Sequence, residues 1–440
     1  MSRHMRQRAL RAHAQRLARQ LTVATVLLLA FVGPVQAASP PLSEPASTLL
    51  VQFTEPLPEE LARERLRSAG LEPLRRIPRI DVWVARPNSR AAMAAAALDL
   101  AAQPGIAWAE ESIVVHAVDV IPNDPRYGEQ WPLPKINAPA AWRLTRGMSA
   151  PIAIIDSGID LDHVDLQPKL WVNPGEIAGN GVDDDGNGYS DDVYGYNFID
   201  RDAEPQDDHS HGSHVASIAA AAGNNAAGVA GLAWGTPLMA LKVLDNYGLG
   251  DTGGLAEALV YAADNGARII NLSLSWDHNT PSQVAEEAVA YALSQGCLIV
   301  AATGNDGGAV GYPARLPGVL AVGATDSADV VASFSNRGPE VDLVAPGVNV
   351  LGCNHLGGWV YKSGTSMAAP HVAGTAALVW GRLPALPYDE LASLLKSMAV
   401  DLLPAGYDEA SGAGRLDAGA AVMAASPRYL AYAPIAFGGR

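Results

Sequence analysis

From about Val118 onward, short apolar runs alternate with segments whose apolar residues recur at helical spacing. The runs Ile152–Ile155, Leu238–Val243, Ile269–Leu274, Leu298–Ala302 and Val319–Val322 are predominantly hydrophobic, which predicts strands covered on both faces. Between them, Ser213–Ala222, Thr252–Asn265 and Pro281–Gln295 read as helices. This alternation predicts an α/β domain with a mostly parallel central sheet between helical layers. Ligands of such sheets bind beyond the carboxyl ends of the strands, and Asp156 and Asn305 each fall just past one.

Residues 47–117 follow another pattern. Thr48–Phe53 is apolar and β-prone, and Pro58–Ala69 is a charged helix ending at Gly70. Ile80–Ala85 reads as a strand, Arg90–Gln103 as an alanine-rich helix stopped by Pro104-Gly105, and Ile113–His116 as a last strand. Together they predict a small α+β domain of split βαβ type ahead of the larger one.

The first 37 residues carry six arginines and no acid, then an apolar run from Leu21 to Val32 and the small-residue site Val35-Gln36-Ala37. That is the layout of an export signal, and the run is short for a membrane span of about 20 residues. An uncleaved anchor is the competing reading. The formal net charge is −16. An acidic body excludes nucleic acid as a partner, since it repels phosphates. The two cysteines, Cys297 and Cys353, are too few for a disulfide framework; two free thiols are expected in preference to one bridge.

Four local patterns carry chemistry. Ala153-Ile-Ile-Asp156-Ser-Gly delivers a carboxylate from a buried strand into a turn, and His209-Ser-His211-Gly-Ser-His214 opens a helix with a histidine. Ala301-Ala-Thr-Gly304-Asn305 ends a strand in an amide, and Gly364-Thr-Ser366-Met-Ala-Ala-Pro370-His leads a serine into a helix. A serine hydroxyl becomes nucleophilic when an imidazole accepts its proton, and the imidazole needs a carboxylate on its other nitrogen. A helix N-terminus and an amide donor suit the oxyanion that forms.

These patterns, in the order Asp, His, Asn, Ser, resemble the subtilisin-like serine proteases (subtilases) over about Pro122 to Val422. The opening Pro122-Asn-Asp-Pro and Pro134-Lys-Ile-Asn-Ala-Pro-Ala-Ala-Trp142 is similar to the thermitase-like branch. The resemblance implies a three-layer subtilisin-like fold, with Ser366 as nucleophile, His211 as general base and acid, Asp156 as its orienting partner and Asn305 as oxyanion donor. It divides the chain into a signal peptide (1–37), an inhibitor-like propeptide (38–117), a peptidase domain (118–424) and a tail (425–440) to which no role is assigned. Self-cleavage near residues 117–120 would free the mature enzyme. The implied protein is secreted and monomeric, is free of the membrane after signal cleavage, and acts on proteins and peptides, with its own propeptide as intramolecular inhibitor.

Gly248, Leu249 and Gly250, with Ser273, Leu274 and Ser275, resemble the two edges that sandwich an extended substrate by β-augmentation. Gly304 belongs to the same substrate site. Gly311 matches the floor of the pocket before the scissile bond, which implies room for large apolar residues, and Tyr312-Pro313 resembles a family cis peptide. Two departures stand out. Ser213 and Ser217 replace a threonine and a glycine of the histidine motif, and Ser275 replaces a glycine beside the substrate edge.

The run Asp183-Asp-Asp185-Gly-Asn187-Gly-Tyr-Ser-Asp191 places oxygen ligands at alternate positions, like the start of an EF-hand loop without its distal glutamate. Calcium is the expected cofactor; a solvated acidic loop is the competing reading. The family resemblance implies a second calcium held by Asp124, Asp165, Asn225 and the 222–229 loop through Ala222, Ala227 and Val229. Two further functional readings remain: a metal hydrolase using His209, His211 and His214, and an inactive relative serving as a binding module. His163, His214 and His371 are expected to be structural.

Overall fold

The computed structural model describes residues 48–87, 100, 103–112, 120–402 and 404–425. The chain divides into two compact units, 1–116 and 117–440. In the first, β1 (Leu49–Phe53), α1 (Glu59–Ser68), β2 (Leu71–Ile77), β3 (Val82–Pro87) and β4 (Ile106–Glu111) form a four-stranded sheet in the order β2-β3-β1-β4. Each neighbouring pair is antiparallel, so β1 and β2 flank β3 as a split βαβ unit requires. Leu49, Val51, Ala62, Leu66 and Trp83 close its core.

Among the described residues the last strand of this unit is Ile106–Glu111, directly after the Pro104-Gly105 turn; the expected strand Ile113–His116 lies outside them, as does most of Arg90–Gln103. Strand β2 was not anticipated, because Glu72, Arg75 and Arg76 give an edge strand a largely polar sequence. The signal, the 117–119 segment and the tail beyond Ala425 also lie outside the described residues.

The second unit is built on seven parallel strands in the order β11-β10-β9-β8-β5-β7-β6. They are β5 (Ile152–Asp156), β6 (Gly195–Asn197), β7 (Leu238–Lys242), β8 (Ile269–Leu272), β9 (Leu298–Ala302), β10 (Leu320–Thr325) and β11 (Leu343–Pro346). The short helices α2 (Pro132–Lys135) and α3 (Ala138–Trp142) precede them. Successive residues of the central strands β5, β7 and β9 serve opposite cores. Ile152 and Ile154 join the core holding α4 (His211–Ala220) and α7 (Thr365–Arg382), whereas Ala153 and Ile155 join that of α5 (Thr252–Asp264) and α6 (Gln283–Ser294). The expected three layers follow from this division. A hairpin of β12 (Val350–Cys353) and β13 (Trp359–Lys362) leads into α7, and α8 (Tyr388–Ser397) and α9 (Ala418–Ala424) complete the unit.

From β5 the sheet grows one way through β7 and β6 and the other way through β8 to β11. The carboxyl ends of β5, β8 and β9 thus border the place where the winding reverses. Asp156 ends β5, Ser273 follows β8, and Gly304 and Asn305 follow β9. Both cysteines are free and buried, and Tyr312–Pro313 is cis.

Ile154 is fully buried at the sheet centre. Ile154→Ala in a Ser366→Ala background is expected to cost about 2–5 kcal/mol in urea unfolding, whereas Val172→Ala at an exposed site should stay within about 0.5 kcal/mol.

Candidate active site

Asp156 is fully buried, and its Oδ1 accepts from Ser157 N (2.8 Å) and pairs with His211 Nδ1 at 2.7 Å. His211 is the first residue of α4. Burial pushes its pKa down, but the charge and hydrogen bond of Asp156 outweigh that and leave it above the ordinary 6.5. The loop before α4 is gathered by Asp207, a buried carboxylate accepting from Ser157 Oγ (2.8 Å), His209 N (3.0 Å), Ser210 N (2.9 Å), Ser213 N (2.9 Å) and Ser213 Oγ (2.6 Å). It ties the neighbour of Asp156 to the neighbours of His211, which sets the distance between the pair. Ser213 therefore keeps the hydroxyl that the histidine motif uses.

Ser366 is the second residue of α7, which starts after Gly364. Its Oγ donates to Ser273 O (3.0 Å); among the described residues it makes no hydrogen bond to His211. The expected serine–histidine bond is thus absent in this rotamer, because the Ser273 carbonyl competes for the hydroxyl proton. Ser273 Oγ in turn donates to Ser366 O (2.8 Å) and accepts from Asn271 Nδ2 (2.9 Å). Pro370 explains the need for that donor. Four residues beyond Ser366, it has no N–H to offer the Ser366 carbonyl, and the Ser273 hydroxyl supplies the bond.

Asn305 is oriented by Thr365, whose N (2.8 Å) and Oγ1 (2.9 Å) both donate to its Oδ1. A backbone N–H only donates, so the oxygen is fixed on Thr365 and Nδ2 is left to donate elsewhere. A Cβ on Gly364 would lie 3.4 Å from that Nδ2. Gly304 has φ +108, and a Cβ there would meet Asn336 Nδ2 at 2.5 Å. Asn336 itself receives Asp306 N and donates to Ala309 O, fixing the loop after β9.

Gly248, Leu249, Gly250, Ser273, Leu274 and Ser275 converge with His211 on one cleft of about 340 Å³. Gly304 and Gly311 do not line it. Gly311 packs behind the second edge, where a Cβ would come within 2.7 Å of Trp276 O and 3.5 Å of Ser275 Cβ. His214 Nε2 faces the carbonyls of Val350 and Val360, and burial pushes its pKa to about 3; His371 is similarly held down to about 4. His163 is held by Gly358 O and Asp165 N. All three have structural partners.

At the calcium site implied by the family resemblance, Asp165 is fully buried and accepts from Asn225 Nδ2 (3.1 Å), Val229 N (3.0 Å) and Trp359 Nε1 (2.9 Å). Buried Asp124 keeps Oδ1 without a hydrogen-bond partner among the described residues. Burial raises its pKa, and Asp165 adds to the rise. Two close carboxylates and an orphaned oxygen fit a hard cation. Ala222 N donates to Asp165 O (2.8 Å), so the 222–229 loop, including Ala227, curls around this residue. In the acidic loop, Asp183 and Asp185 are joined by Glu176, with ligand atoms all within 4.8 Å. Asn187 lies beside them, donating to Asp185 Oδ2. Asp191 is turned away to accept from Asn180 N and Gly181 N. Glu176 was missed because its loop, not its spacing, brings it there.

Residues 147–414 match the sequence profile of the Subtilase family. The chain is 42% identical over 279 residues to the thermophilic serine proteinase of Bacillus sp. (strain AK1), covering 63% of this chain and 63% of that protein. It is 40% identical over 260 residues to thermitase of Thermoactinomyces vulgaris, covering 59% of this chain and 85% of thermitase. Over 322 residues it is 38% identical to the halolysin-like extracellular serine protease Nep of Natrialba magadii, 72% of this chain and 55% of that protein. A solved protease from Pseudoalteromonas arctica PAMC 21717 superposes with a TM-score of 0.60 at 32% identity, over 70% of this chain and all of that one. With the profile spanning more than half its length, this chain belongs to the subtilase family of serine endopeptidases, in its thermitase-like branch.

Proposed function

We propose that the protein is a secreted serine endopeptidase that removes its own propeptide and then cleaves proteins through Ser366, His211 and Asp156. The observation carrying this reading is the 2.7 Å bond of His211 to buried Asp156 at the rim where Ser366 begins its helix. Substrate arrival turns the Ser366 hydroxyl from the Ser273 carbonyl to His211 Nε2. The hydroxyl oxygen attacks the scissile carbonyl while its proton passes to the imidazole, whose cation Asp156 stabilises. The oxyanion is met by Ser366 N–H, with the dipole of α7 behind it, and by Asn305 Nδ2. His211 then protonates the leaving amine, and water repeats the sequence to release the acyl group.

An extended substrate adds to the edges at Gly248–Gly250 and Ser273–Ser275. Their backbone bonds read no side chain, which supports broad specificity. Leu249, Leu255 and Leu274 line the cleft and favour large apolar residues before the scissile bond. The arginine-rich start acts as export signal, the small split βαβ unit as inhibitor, and 425–440 as a tail. The name of the Natrialba relative, an extracellular protease, agrees with export. Asp124, Asp165, Asn225 and the 222–229 carbonyls would hold one calcium, and Glu176, Asp183 and Asp185 another. Bound calcium would neutralise carboxylates that otherwise repel.

Ser366→Ala should be secreted uncleaved; mature protein from that variant, with other proteases absent, would defeat the assignment. Asn305→Ala should lower kcat by about 10²–10³ with little change in KM, a figure known from an oxyanion amide of this same family. Casein or peptide hydrolysis should fail on the acid side as pH falls through the raised pKa of His211, so the acid limb of kcat/KM lies above 6.5. Asp156→Asn should move that limb down and cost about 10⁴ in turnover. Chelation should lower the Tm of the Ser366→Ala protein, an effect diminished in Asp124→Ala.

A further inference from the structure

Lys362 closes β13, four residues before Ser366, and the reaction above gives it no task. Its half-buried ammonium donates to Ser210 O (2.9 Å) and Ser210 Oγ (2.7 Å). Ser210 holds φ +74 and immediately precedes His211, so the cation is tethered beside the imidazole. Lys135, Lys242 and Lys396 each pair with an aspartate. Lys362 has no carboxylate within ion-pair distance among the described residues. An ammonium has three protons to donate, and two are used. Burial lowers its pKa, countered by the more distant charges of Asp207 and Asp156. A partly dehydrated cation without a counter-ion gains from any carboxylate brought to it.

The place of that carboxylate follows from what Lys362 does not line. It is absent from the cleft of Gly248–Gly250 and Ser273–Ser275, where residues before the scissile bond bind in the reading above. It sits instead next to the residue that hands a proton to the leaving amine. We propose that Lys362 makes the enzyme prefer substrates with Asp or Glu on the leaving-group side of the scissile bond, through an ion pair with its ammonium. This rests on the endopeptidase reading.

The same charge acts on His211. Facing that imidazole are Asp156 from β5, Asp207 from the preceding loop, His214 within α4, the ring of His209 at 6.2 Å, and Lys362 from β13. Asp156 and Asp207 favour the imidazolium and Lys362 opposes it. Removing the lysine charge therefore moves the acid limb of activity to higher pH.

The test uses mature enzyme and peptide pairs differing only by Glu or Gln, at the first two positions after the bond or the last two before it. Active-site titration corrects each variant for its folded fraction. Wild type should cleave the Glu member with kcat/KM about three- to five-fold higher when Glu follows the bond, and the advantage should shrink at high salt. Lys362→Met should bring the ratio to about one and raise the acid limb on the Gln peptides, while Lys362→Arg keeps the preference. Equal rates in wild type, a preference surviving in Lys362→Met, or one confined to positions before the bond would overturn the proposal. Failure of wild type to cut any of these peptides would instead remove the endopeptidase reading beneath it.

Discussion

A carboxylate at the end of a fully buried strand has to be compensated, and that demand organises this site. Asp156 has Ser157 N and His211 Nδ1 on one oxygen, while its other oxygen has no hydrogen-bond partner among the described residues. The imidazole is therefore held where it best neutralises that charge, with no hydrogen bond to its second nitrogen among the described residues. Asp207 makes the arrangement rigid by collecting five donors from both sides of the pair. A buried charge, costly by itself, becomes the reason the base has one orientation.

The oxyanion side is built by a comparable economy of donors. Thr365 occupies the oxygen of Asn305, and Pro370 withholds an N–H from Ser366 that Ser273 replaces. Each residue next to the reacting atoms is thus oriented by a neighbour whose own role is conformational. Proline inside a helix ordinarily costs stability, and here the side-chain hydroxyl recovers the lost bond.

Much of this was legible in the sequence, for identifiable reasons. Ile152–Ile155 and Leu298–Ala302 are apolar without interruption because both faces of the sheet are covered, so their ends, and hence Asp156 and Asn305, could be placed. β6 and β11 were missed: Gly195–Asn197 and Leu343–Pro346 are too short to show a period. Asp207 and Ser273 were invisible as positioning residues because their partners lie far along the chain, at Ser157 and Ser366. Glu176, not anticipated in the acidic loop, meets Asp183 and Asp185, since turn geometry rather than alternation decides which carboxylates meet. The Ser366 hydroxyl chose a nearby carbonyl over the imidazole, a choice of rotamer that no motif encodes.

The helix carrying Ser366 is buried along nearly its whole length, from Thr365 to Trp380, and rich in alanine and glycine. Such a rod has no solvent side toward which it could tilt, and its small side chains let neighbouring backbone close in around it. The nucleophile is consequently mounted on a closely packed part of the molecule. Adjustment to differently shaped peptides falls to the rims, where sequence can drift while the reactive centre stays put.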